Sequence, residues 1–124
     1  MIGIEKFGKD HWSTFGYIET RIVDHGGRPA KYHMRCGFHH PLHRHLIDEA
    51  PSTRLRDKET QAGHDDWDCL DDLEEAGLLT SSGTGMFPVY ALTTEGERVA
   101  AELRSFKAKG GNFSDFVPSP KESA

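Results

Sequence analysis

The chain has 124 residues, a length that fits one domain. Its 20 acidic and 15 basic residues give a net charge of −5, which excludes a generally basic nucleic-acid coat protein. No apolar run reaches the ~18 residues of a transmembrane helix, the N-terminus lacks a signal peptide, and two cysteines are too few for a disulfide framework. We therefore expect a cytoplasmic protein with one domain over residues 1–117 and a flexible tail over residues 118–124.

The first predicted helix runs from Asp10, its candidate N-cap, to His25. Gly26 and Gly27 stop it, because glycine adopts the left-handed conformation that ends helices. Four apolar residues spaced by three or four positions share one face of this helix: Trp12, Phe15, Ile18 and Ile22.

Residues 28–63 carry weaker signals. Tyr32 and Met34 fit one side of a short strand. Residues 43–50 fit a helix that ends before Pro51, since the residue before a proline favours extended backbone.

A second helix is predicted from Asp65 to Ala76. Asp65 and Asp68 have the spacing of a capping box, in which each side chain accepts a hydrogen bond from the backbone of the other. Trp67, Leu70 and Leu73 form its apolar stripe, and Gly77 ends it.

A β-hairpin and a last helix follow. The strands are predicted at residues 78–80 and 88–93, with the turn Ser-Ser-Gly-Thr-Gly between them. Thr94 and Glu97 have capping-box spacing, and Val99, Leu103 and Phe106 follow at helical intervals before Gly110.

The second half of the chain resembles a winged-helix domain. The matching segments are DCLDDLEEAGLL, the turn SSGTG, and VYALTTEGERVAAEL, and they fall within residues 64–106. The resemblance implies a small α+β domain with three or four helices and a two- or three-stranded β-hairpin wing. It also implies that the helix at residues 65–76 enters the major groove of DNA while the wing contacts phosphate.

The charges favour a different partner for that helix. Residues 65–75 hold seven carboxylates and no Lys or Arg, and residues 77–94 hold no charge at all, so both would contact phosphate poorly. The leading hypothesis is therefore a non-enzymatic regulatory or adaptor module that contacts a protein or a second copy of itself; a phage or mobile-element accessory protein fits this description. A solvated acidic face is the simpler alternative. The candidate interaction residues are Asp68, Asp71, Asp72, Glu75, Met86 and Phe87.

A DNA-binding transcriptional regulator is the second hypothesis. Seven Lys and Arg residues lie between positions 28 and 58, against three acidic residues, and such asymmetry is typical of a nucleic-acid footprint. A loop of scattered, solvated cations, or a basic surface for self-association, would give the same pattern. The candidate nucleic-acid-binding residues are Arg28, Lys31, Arg35, Arg54, Arg56 and Lys58.

A zinc-stabilised module is the third hypothesis; otherwise we expect no cofactor. The chain has eight histidines, and the spacing Cys36-x2-His39-x3-His43 suits zinc, with His64 as a fourth ligand. His40, His45 and Cys69 are further candidates, although Cys69 near an apolar stripe also fits a small buried side chain. No motif for nucleophilic catalysis, phosphate binding or metalloprotease activity is present, so we expect no enzyme.

Overall fold

The computed structural model describes residues 2–23, 52–56, 58–82 and 89–119. These parts of the chain form an α+β fold with three α-helices and two small antiparallel sheets. Two short 3-10 turns, Ile4–Lys6 and Phe113–Asp115, flank them. The elements are α1 (Lys9–Val23), β1 (Ser52–Arg54), β2 (Thr60–Ala62), α2 (Asp66–Glu75), β3 (Leu79–Ser82), β4 (Val89–Leu92) and α3 (Thr94–Ala108).

Each sheet is a single pair of strands. In the first, Thr53 of β1 lies opposite Gln61 of β2, and in the second, Leu79 of β3 lies opposite Leu92 of β4. The β3–β4 pair is the predicted hairpin. The β1–β2 pair, hereafter the N-terminal hairpin, lies in a segment where the sequence predicts no strand. Among the described residues no helix is both long and apolar enough to cross a bilayer.

The helix ends follow local chemistry, with two corrections. The predicted capping box of Asp65 and Asp68 is confirmed, and Gly77, with φ +82°, ends α2 as predicted. The prediction of Thr94 as the cap of α3 is wrong by one residue, because Thr93 is still extended and its Oγ1 accepts from the Gly96 amide at 2.9 Å. The prediction of Asp10 as the N-cap of α1 is also wrong, since the Trp12 amide already donates to the carbonyl of Gly8.

One aromatic-rich core joins the three helices. Trp12 lies at its centre and meets Phe116 edge-on, with ring centroids 4.9 Å apart. Phe7 and Phe116 lie outside the predicted helices, so helical periodicity does not pick them out. The fully or almost fully buried apolar residues include Phe7, Trp12, Phe15, Ile18, Leu70, Leu73, Leu78, Leu79, Val99, Leu103 and Phe116.

Gly96 marks the place where the first turn of α3 touches the backbone just before β3. A Cβ atom at this position would lie 2.0 Å from the carbonyl oxygen of Leu78. We expect Gly96→Ala to lower the free energy of unfolding by about 1–3 kcal/mol, because this overlap outweighs the better helix propensity of alanine. Urea denaturation measures the loss. Ser105→Ala, at an exposed site of α3, is the control; a Gly96→Ala variant as stable as the parent would contradict the close contact.

Candidate functional site

Five cationic side chains surround one open cleft of about 620 Å³, hereafter the basic cleft. They come from three distant parts of the chain: the start of α1, the N-terminal hairpin and the end of α3. Asp115 is the single acidic residue among the described residues that line it, and Leu55 and Phe113 add apolar surface. The cations are Lys9, Arg54, Arg56, Lys58 and Lys107.

Backbone hydrogen bonds fix the N-terminal hairpin against the start of α1. The amide of Arg54 donates to Oδ2 of Asp10 at 2.6 Å, and the amide of Arg56 donates to the carbonyl of Lys6 at 3.0 Å. The turn is tight, because the amide of Lys58 donates to the carbonyl of Leu55 at 3.0 Å. Lys58 itself has φ +69°, a conformation that side-chain-bearing residues rarely adopt.

Three of the six residues that the sequence predicts to bind nucleic acid thus lie at one surface. Arg54, Arg56 and Lys58 line the basic cleft, whereas the other three candidates, Arg28, Lys31 and Arg35, lie outside the described residues. Lys9 and Lys107 are not among the nucleic-acid-binding candidates that the sequence predicts. No local pattern could have linked them to the hairpin, because folding alone brings these distant segments together.

The predicted acidic interaction face is smaller than the sequence indicates. Its inclusion of Asp72 is wrong, because that side chain is only 2% exposed. Asp68 is half-buried in the capping box, Asp71 is half-buried, and Glu75 is exposed. The remaining candidates, Met86 and Phe87, lie outside the described residues.

Asp72 instead forms a buried polar cluster with two histidines. Its Oδ2 accepts from Nε2 of His11 at 2.9 Å and from Nε2 of His64 at 2.7 Å. The backbone amide of Ile2 donates to Oδ1 at 3.3 Å. A buried carboxylate requires such donors, since losing water is costly for a charged group. We call His11, Thr53, His64, Cys69 and Asp72 the histidine cluster.

Thr53 and Cys69 lie on the other side of the His64 ring. Oγ1 of Thr53 lies 2.5 Å from Nδ1 of His64 and also donates to the carbonyl oxygen of His64 at 3.0 Å. Sγ of Cys69 lies 3.8 Å from the same Nδ1. Because threonine has one hydroxyl hydrogen, Oγ1 can donate to only one of its two neighbours at a time.

Burial shifts the pKa values of two members of this cluster, His11 and Cys69. It lowers the pKa of His11 below its usual value even though the Asp72 carboxylate opposes the shift. Burial likewise raises the pKa of the Cys69 thiol well above its usual range. Cys69, His64 and Asp72 follow one another as in a nucleophilic triad, but a buried, protonated thiol is a poor nucleophile.

Three residues of the cluster are common metal ligands. One donor atom each from His11, His64 and Cys69 lies within 4.8 Å of the other two. Of the four residues that the sequence predicts to bind zinc, only His64 lies within the described residues, and it is near two possible co-ligands. The other three, Cys36, His39 and His43, lie outside the described residues. Sequence reasoning missed His11, although a histidine in helical register with Phe15 and Ile18 was a usable signal.

A second cleft, of about 520 Å³, leads to the histidine cluster. The side chain of His64 is 11% exposed and lines it together with Asp72. Glu5, Asp68 and Asp71 add three further carboxylates, against the single cation Lys6 among its described residues. We call it the acidic cleft.

No protein-family profile, curated protein or solved structure matches this chain. The resemblance to winged-helix domains therefore depends on the motifs in residues 64–106. The geometry of the two clefts and of the histidine cluster is the remaining basis for a functional proposal.

Proposed function

We propose that this chain is a non-enzymatic, nucleic-acid-binding regulator that contacts phosphate through the basic cleft. The observation that carries the proposal is the convergence of five cations from three chain segments on one concave surface. Lys and Arg contacts to phosphate supply most of the sequence-independent affinity for nucleic acid. The winged-helix-like order of helices and hairpins supports the same class of protein.

The charge distribution indicates which side faces the nucleic acid. Among the described residues, five cations and one acidic residue, Asp115, line the basic cleft, whereas all charged residues of α2 are acidic. The negatively charged backbone of a nucleic acid is therefore attracted to the N-terminal hairpin and repelled from α2. In this arrangement the duplex contacts the N-terminal hairpin, and α2, the helix that a winged-helix domain would insert into the major groove, makes no phosphate contact.

The protein-contact hypothesis loses part of its support for a structural reason. Asp65 and Asp68 cap α2, and Asp72 binds two histidines inside the protein. Three of the seven carboxylates that suggested an interaction face thus stabilise the fold. The basic cleft keeps its cations at the surface, since Arg54, Arg56 and Lys58 are all exposed.

Arg54→Ala combined with Arg56→Ala is expected to weaken DNA binding at least tenfold at ~50 mM salt, because two phosphate contacts are lost. The slope of log affinity against log salt concentration should become shallower by about 2, roughly one per lost contact. Fluorescence anisotropy with a labelled DNA duplex of mixed sequence, titrated at several salt concentrations, measures both quantities.

Lys6→Ala combined with Lys109→Ala is the matched control, because it removes two exposed cations that do not line the basic cleft. We expect this variant to keep the affinity within about twofold and the parental salt slope, since neither side chain lines the basic cleft to contact phosphate directly. Equal loss in both double variants would mean that only overall charge matters. No binding by the parent protein at low salt would overturn the proposal.

A further inference from the structure

We propose that His11, His64 and Cys69 bind one zinc ion inside the fold. This site differs from the one that the sequence predicts, since it shares only His64 with the Cys36, His39 and His43 set. It is also independent of nucleic-acid binding, because none of its three ligands lines the basic cleft.

The spacing of the donor atoms is close to that of a tetrahedral zinc site. Zinc lies about 2.0–2.1 Å from imidazole nitrogen and about 2.3 Å from thiolate sulfur, so two ligands of one ion lie roughly 3.3–3.7 Å apart. Sγ of Cys69 and Nδ1 of His64 are 3.8 Å apart. His11 completes a set whose donor atoms all lie within 4.8 Å. Binding one ion therefore requires the three donor atoms to move closer together.

Asp72 supplies the support that zinc-binding histidines usually have. A metal-bound imidazole commonly donates its second ring N–H to a carboxylate, which fixes the ring and raises its basicity. His64 has this arrangement, with Nε2 donating to Asp72 at 2.7 Å and Nδ1 on the side of Cys69. The carboxylate also adds a negative charge next to the ion.

Metal binding rearranges the hydrogen bonds of the cluster. Oγ1 of Thr53 lies 2.5 Å from Nδ1 of His64 and must move aside when that nitrogen binds the ion, and its hydroxyl then donates to the His64 carbonyl oxygen alone. Nδ1 of His11 is buried and has no hydrogen-bond partner among the described residues, so a metal bound through this nitrogen would leave the bond from Nε2 to Asp72 in place. At Cys69, the zinc–sulfur bond replaces the S–H bond, and the proton leaves to solvent.

The ligand types select zinc, and the acidic cleft gives it a path. Thiolate and imidazole together favour zinc over magnesium or calcium, which prefer oxygen ligands. His64 lines the acidic cleft, where four carboxylates attract a divalent cation toward the cluster. The bound ion would connect α1, which carries His11, to α2, which carries Cys69.

The first test uses the full-length protein and zinc alone. Elemental analysis after purification and dialysis should give about one zinc per chain. Removal by a chelator should lower Tm by about 10 °C relative to protein with zinc at ~100 times its Kd, and added zinc should restore it. An unchanged melting curve and no retained zinc would overturn the proposal.

The second test locates the thiol with Co²⁺ in place of zinc. Thiolate ligation gives a sulfur-to-cobalt charge-transfer absorption in the near ultraviolet, which we expect to persist in Cys36→Ser and to disappear in Cys69→Ser. Circular dichroism checks that Cys69→Ser is folded, and His11→Gln, which retains the thiol, should weaken cobalt affinity at least tenfold. An absorption that survives in Cys69→Ser and disappears in Cys36→Ser would assign the thiolate to the other cysteine.

Discussion

Asp72→Ala is expected to lower the free energy of unfolding by about 3–5 kcal/mol, because it leaves the buried imidazole N–H of His11 and the partly buried one of His64 without an acceptor. The amide of Ile2 loses its contact with Oδ1 as well. Asp72→Asn should cost less, since its amide oxygen can still accept a hydrogen bond. Urea denaturation in the presence of a chelator measures the effect in metal-free protein.

Glu75→Ala is the control for Asp72, because it removes an exposed carboxylate from the same helix. We expect a change within about 0.5 kcal/mol, as for most surface substitutions. If Asp72→Ala cost no more than Glu75→Ala, the buried hydrogen bonds of His11 and His64 would not be present in solution.

Trp12→Ala is expected to cost about 3–5 kcal/mol through the lost apolar surface and the cavity that remains. The side chain is 0% exposed and contacts the rings of Phe7, Phe15 and Phe116. Trp12→Phe should cost much less, because Nε1 has no hydrogen-bond partner among the described residues and the smaller ring removes that buried donor. The change in urea midpoint, at constant m-value, reports both losses.

Tyr17→Ala tests the same helix at a side chain that is 42% exposed. Its removal should cost no more than about 1 kcal/mol, because part of the ring is already in water. Similar losses for Trp12→Ala and Tyr17→Ala would show that α1 is not packed around Trp12.

The second half of the fold is predictable because its signals are local. Asp65, Asp68 and Gly77 mark the ends of α2 by their own backbone chemistry, and β3 and β4 follow the predicted strands within two residues. The N-terminal hairpin has no comparable signal. Its strands are three residues long and only Thr53 among them is buried, so alternation cannot reveal them. Contacts with α1 hold this hairpin in place.

The candidate sites depend on distant contacts for the same reason. His11 and Asp72 are 61 residues apart along the chain, and no spacing rule connects them. On a helical wheel Asp72 continues a stripe of carboxylates, so the pattern assigns it to the surface. Whether Asp72 is buried depends on what packs against its side of α2. In the folded protein, α1 and the two histidines cover it. The types of residue were visible in the sequence, but their arrangement was not.

Three consecutive residues in the first turn of α1 have three different structural roles. Lys9 lines the basic cleft, Asp10 accepts from the amide of Arg54, and His11 binds Asp72. Successive residues of a helix point about 100° apart, which is how one turn can face three directions. An inserted or deleted residue in this turn would therefore displace the lysine of the basic cleft, the aspartate that anchors the N-terminal hairpin and the buried histidine at the same time.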